Sequence, residues 1–174
     1  MRYLTAAERV LEQFQIRKHP VPVEQIAQKL GARVVFEAFD SRDNLSGVLL
    51  KENGNVTIAV NSSDPSTRQR FTIAHECGHL VLKHKGDMFV DQTIRLHRDD
   101  NSGSAVDRLE IEANGFAAEL LMPSSWVLKE FEKRLKGSSL KVESVVRDLA
   151  RSFDVSPKAM EYRLANLGLV YPDH

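Results

Sequence analysis

Apolar residues at the start of the chain recur at helical spacing and then give way to extended runs. Ala7, Val10, Leu11 and Phe14 share one face, and Val23, Ile26, Ala27 and Leu30 repeat the pattern up to Gly31. Gly31 is read as a helix stop and Arg33-Val34-Val35-Phe36-Glu37 as a strand. Residues 39–62 predict a β-hairpin. Gly47-Val48-Leu49-Leu50 and Val56-Thr57-Ile58-Ala59-Val60 flank Asn53-Gly54, a strong turn signal. Asp64 is expected to cap the next helix, with Pro65 in its first turn.

Residues 65–125 carry two long helical patterns, split by a polar segment at 99–104 and closed by Pro123. Residues 126–170 are helical again, with breaks at Gly137-Ser138-Ser139 and near Asp154–Pro157. No internal repeat or low-complexity tract interrupts the chain. The fold class expected is α+β, in one domain spanning 1–174. Residues 126–174 form a helical, helix-turn-helix-like extension packed on the rest.

Composition narrows the function. Lys+Arg and Asp+Glu both number 24 in 174 residues, which disfavours a protein built to grip nucleic acid or an anionic membrane. No apolar run approaches the ~18 residues of a membrane span, and the amphipathic start lacks a secretory core, so a cytoplasmic protein is expected. The lone Cys77 excludes an internal disulfide and suits a small core residue.

The chemistry lies in Thr72-Ile73-Ala74-His75-Glu76-Cys77-Gly78-His79-Leu80. Residues four apart on a helix are only about 40° apart around its axis, so His75 and His79 project side by side and can reach one ion. Glu76 lies about 100° round from His75, placed to take a proton from a water rather than to be an equal ligand. This is the pattern of a zinc hydrolase with a carboxylate general base. The surrounding Phe71, Ala74, Gly78, Val81 and Leu82 mark a buried helix, where two histidines need partners. Gly78 costs about 1 kcal/mol inside a helix, and close approach of another backbone would explain it.

A catalytic zinc takes three protein ligands and leaves one position open. A third histidine ten residues after His75 is excluded, because that position is Lys85. His84, nine residues after His75, falls on another side of the helix. The remaining donors are Glu110 and Glu112. On a helical wheel Val106, Ala113, Ala117 and Leu121 lie within about 60° of Glu110, on the buried stripe. Glu112 falls on the opposite side with Arg108, Gly115 and Glu119, and pairs with Arg108 at i,i+4. Glu110 is therefore the expected third ligand. Asn114 shares its face and is expected to orient a ligating imidazole by accepting its free N–H.

The segment from Arg68 to His79, followed by Glu110-Ile111-Glu112-Ala113-Asn114-Gly115-Phe116-Ala117-Ala118-Glu119-Leu120-Leu121-Met122-Pro123, resembles the ImmA/IrrE family of zinc metallopeptidases. The likeness extends upstream through Leu45-Ser46-Gly47 and Val60-Asn61, and downstream through Phe153-Asp154-Val155-Ser156 and Arg163-Leu164. It implies a compact gluzincin-like domain with a small sheet packed on the active-site helix. It also implies one Zn2+ held by His75, His79 and Glu110, with Glu76 as catalytic base. The protein partner implied is a helix-turn-helix repressor of the Xre type, cleaved to release transcription. Val56–Val60 runs directly into the active-site helix, and two readings of it stand level: a sheet edge to which a substrate segment could add as a further strand, or simply an edge of the core.

Two other classes compete with this reading. One is a metal-containing protein that binds a repressor without cleaving it; a purely structural site would have no use for Glu76. The other is a DNA-binding regulator using residues 23–31 or 146–160. Residues 129–174 carry nine Lys/Arg against seven Asp/Glu, too near balance for a groove-reading face, so no direct nucleic-acid contact is expected.

Overall fold

A computed structural model describes residues 4–40, 45–92, 104–135 and 142–170. The Gly137–Ser139 break lies outside them, and so does the expected polar segment at 99–104 but for Ser104, which opens a helix. The fold is α+β, with seven helices and a four-stranded mixed sheet among the described residues. Its residues form two compact units, 22–117 and 1–21 with 118–174.

The chain's first helix, α1 (Ala6–Gln13), belongs to the second of these units, and the 22–117 unit opens with α2 (Val23–Lys29). Three strands follow, β1 (Ala32–Glu37), β2 (Leu45–Glu52) and β3 (Asn55–Asn61). The hairpin between β2 and β3 turns on Asn53 and Gly54, both at positive φ (50° and 80°), as a two-residue turn of matching twist requires. The long helix α3 (Ser66–Val81) comes next, then β4 (Met88–Gln92) and α4 (Ser104–Leu121).

The sheet order is β1-β3-β2-β4, with β1 parallel to β3 and the other pairs antiparallel. Val56–Val60 is therefore an interior strand, and both readings of it as an edge are corrected: each of its sides is taken. The edge on the other side of β2 belongs to β4. That strand lies in a stretch whose pattern had read as helical. α3 stops at Val81, Lys83 turns left-handed (φ 57°), and only the short run Met88-Phe89-Val90 signals extension.

One sheet face presents Gly47, Leu49, Ile58 and Val60, all buried. A Cβ on Gly47 would stand 2.2 Å from Thr72 Cγ2, so the glycine lets α3 lie directly on β2. Burying Leu49, Ile58 and Ile73 contributes about 1.5–3 kcal/mol each. Every residue of α3 from Thr72 to His79 is buried, which is why this helix has no simple amphipathic stripe. Asp64 does not cap it. Pro65 holds the cap position, and Gln69 Nε2 donates to the Asp64 carbonyl at 2.8 Å.

In the other unit, α1 starts with a capping box in which Thr5 and Glu8 each satisfy the other's backbone N–H. Helices α5 (Ser124–Leu135), α6 (Val142–Phe153) and α7 (Pro157–Asn166) follow. Ser156 Oγ accepts from Ala159 N at 3.1 Å and Pro157 opens α7, so the break near Asp154–Pro157 falls where the sequence placed it. Glu119, expected on a solvated side, is instead mostly buried. It pairs with Arg163 and accepts from the N and Oγ of Ser124 at 3.0 and 3.1 Å. Arg163 Nε also donates to the Met122 carbonyl at 3.0 Å. No described helix is long and apolar enough to cross a membrane.

Candidate metal centre

The middle of α3 supplies two imidazoles one turn apart. His75 and His79 are 2% and 0% exposed, and their Nε2 atoms face each other at 3.1 Å. From α4, Glu110 brings Oε2 to 3.1 Å from His75 Nε2 and Oε1 to 3.4 Å from His79 Nε2. The sequence placed these three residues together by helical phase, and the structure brings them together. Gly78 makes this possible. A Cβ there would stand 3.1 Å from Ala113 Cα and 3.2 Å from its carbonyl oxygen, so the two helices approach backbone to backbone just beyond the site.

The group fits a small divalent ion. Ligand atoms at about 2.0–2.1 Å from a tetrahedral metal lie roughly 3.3 Å from one another, and the separations here are 3.1, 3.1 and 3.4 Å. Two imidazole nitrogens and a carboxylate are also the donor types zinc accepts. Among the described residues this is the one such group of three.

Each imidazole is held from its other nitrogen. His75 Nδ1 donates to Asn114 Oδ1 at 3.0 Å, the contact expected from Asn114's place on the helix. His79 Nδ1 meets His84 Nδ1 at 2.9 Å, and His84 Nε2 lies 3.3 Å from Glu112 Oε2. Glu112 pairs with Arg108 at 2.9 Å as the i,i+4 spacing predicts, but it also reaches back towards the site. His84 is thus a residue that sequence reasoning set aside. Helical phase sets it on another side of a continuing helix, whereas α3 ends at Val81 and the chain turns, His84 N donating to the His79 carbonyl at 3.0 Å. Phe89 of β4, which carried no sequence signal, stacks on His79 with centroids 4.3 Å apart.

The electrostatics suit a cation site. His79's imidazole is pushed down to about 4, first by burial and then by the neighbouring His75, so it stands neutral with a lone pair to offer. Burial works to raise the Glu110 carboxyl, yet the hydrogen bond and charge of His75, aided by His79, hold it below its ordinary value. Glu76 is fully buried on α3. Cys77 beside it is a buried thiol raised to about 12, by burial and then by the charge of Glu76, which leaves it inert as a nucleophile.

A buried helix that presents two histidines to a carboxylate from a second helix defines a candidate metal-binding protein. Residues 27–165 match the IrrE N-terminal-like domain, Peptidase M78, and the chain belongs to this ImmA/IrrE family. It is 34% identical over 109 residues to the radiation response metalloprotease IrrE of Deinococcus deserti, covering 62% of this chain and 35% of that protein. It is 30% identical over 88 residues to the uncharacterized immunity region protein 2 of Bacillus phage phi105, covering 51% of each. The chain thus spans about a third of the length of the IrrE relative. A Mycobacterium tuberculosis transcriptional regulator of known structure shares the fold, with a TM-score of 0.60 at 17% identity over 92% of this chain and 45% of that one.

Proposed function

We propose that the protein is a zinc-dependent endopeptidase that cuts one peptide bond in a partner transcriptional repressor of the Xre helix-turn-helix type and so releases the genes it represses. The observation that carries this reading is the convergence of His75, His79 and Glu110 at tetrahedral-edge distances beside the buried Glu76. The relatives named for a radiation response and for phage immunity support a regulatory setting. A repressor of this kind acts on cellular DNA, so the reading places the protein in the cytoplasm.

His75, His79 and Glu110 would hold the ion. When bound, zinc supplies Lewis acidity, polarising a carbonyl and making water a competent nucleophile near neutral pH. The Glu76 carboxylate takes the proton of the attacking water and passes it to the leaving amine. Asn114 keeps His75 in the tautomer whose Nε2 faces the site. The substrate backbone docks along β4, an edge strand among the described residues with Met88 and Val90 exposed, by hydrogen-bonding as a further strand.

The test is incubation of the purified, zinc-loaded protein with Xre-type repressors from the same genome, followed by mass analysis of fragments. Glu76→Gln is expected to keep its metal and leave the repressor whole. Undiminished cleavage by that variant would end the enzymatic reading.

A further inference from the structure

We propose that His84 is a positioning residue for the metal site, orienting His79 through a hydrogen-bonded relay that ends on Glu112. This rests on the metal-site reading above and extends it to a residue outside the ligand set.

With His84 neutral, the relay has one consistent polarity. Glu112 is a carboxylate also engaged by Arg108, so it accepts only, and His84 Nε2, 3.3 Å away, must carry the proton. A neutral His84 then has a bare Nδ1, which accepts from His79 Nδ1–H at 2.9 Å. His79 is left with its lone pair on Nε2, the atom that faces His75 Nε2 and Glu110. The opposite polarity would turn the His84 Nε2 lone pair onto the Glu112 carboxylate and place a proton on His79 Nε2, where the ligand group converges. The acidic end of the relay thus selects the metal-binding tautomer two rings away.

The relay is also anchored. His84 is 6% exposed, and its backbone is held at both ends, its N–H by the His79 carbonyl and its carbonyl by Lys51 Nζ at 3.1 Å. Its ring meets His79 edge-on at 73°, while Phe89 covers a face of the His79 ring, so rotation of that imidazole is opposed from two directions. Asn114 performs the same office for His75. Each histidine of the pair therefore has its own orienting acceptor, one an amide and one a second imidazole.

The experiment uses the full chain. Zinc affinity is measured by competition with a chromophoric chelator for the wild type, His84→Leu and His84→Asn. Removing an orienting partner of a ligating histidine typically costs about 10–100-fold in metal affinity, and that loss is expected for His84→Leu. His84→Asn retains an amide acceptor at the position of Nδ1 and is expected to recover most of it. In parallel, 15N NMR of the zinc-loaded wild type should find His84 protonated on Nε2 with Nδ1 bare, a tautomer that a merely space-filling role does not select. A wild type that takes up no zinc overturns the metal-site reading and the relay together. A wild type that binds zinc while the two variants match it, or lose affinity equally, overturns the relay alone. So does a His84 protonated on Nδ1, which decides the matter even where a variant fails to fold.

Discussion

Gly78 and Ala113 stand so close that a Cβ on the glycine would meet the Ala113 Cα at 3.1 Å. The same added atom would lie 3.2 Å from the Ala113 carbonyl oxygen and from Phe116 Cδ1. His75 and Glu110 each sit one turn before this contact, on α3 and α4. The backbone approach therefore sets the distance across which a carboxylate from one helix meets the imidazoles of the other.

Gly78→Ala tests that relationship. Alanine favours helix by about 1 kcal/mol, but overpacking against a neighbouring backbone costs about 1–3 kcal/mol. Because helix backbone cannot yield as a flexible side chain does, the net expectation is a lower urea midpoint together with weaker zinc binding. A midpoint raised above wild type would mean that α4 can move away freely.

Glu110→Ala is expected to abolish stoichiometric zinc, while Glu112→Ala retains it with a smaller loss. Glu110 turns Oε2 to His75 and Oε1 to His79, whereas Glu112 pairs with His84 and Arg108. Its partly exposed carboxylate can also be replaced by water. Metal content of the two purified variants, measured by mass spectrometry, checks the order; a reversed result would place the wrong face of α4 towards the site.

The metal-free protein should lose stability as the pH falls from about 6.5 to about 4. His79 has its folded pKa depressed to about 4 by burial and by His75, while an unfolded histidine titrates near 6.5. Between those values the unfolded chain binds the extra proton, so acid favours unfolding. Glu110, also depressed, works in the same direction below the ordinary carboxylate range. Thermal melts of chelator-stripped protein across this interval should show a falling midpoint, and a flat profile would contradict the burial of His79.

Arg163→Ala should destabilise the unit formed by residues 1–21 and 118–174. Arg163 and Glu119 are 12% and 14% exposed at their side chains and joined to the Met122 carbonyl and Ser124. Removing one partner of a buried pair strands the other charge at a cost of about 3–5 kcal/mol. Urea unfolding followed at Trp126 reads this directly; a change of only a few tenths would show that solvent replaces the arginine.

Local chemistry made much of this protein legible before any tertiary contact was known. The Asn53-Gly54 turn and the apolar runs beside it specify a hairpin, because few other residues accept two successive positive φ angles. Helical phase alone joined His75 to His79 and selected Glu110 over Glu112, since a 3.6-residue repeat assigns each side chain a face. The glycine at position 78 announced a close neighbour, without saying which.

What only the assembled molecule decided depends on segments far apart in the chain. The order β1-β3-β2-β4 made Val56–Val60 an interior strand, because pairing partners are chosen by long-range packing rather than by neighbouring residues. Met88–Gln92 became a strand by pairing with β2, a partner distant in the chain that no local propensity reveals. His84 acquired its place beside His79 only when α3 ended and the chain folded back, and Glu112 closed on it from another helix. Residue types and helical phase thus specified which groups face the candidate site, while the distances between those groups depend on contacts between elements.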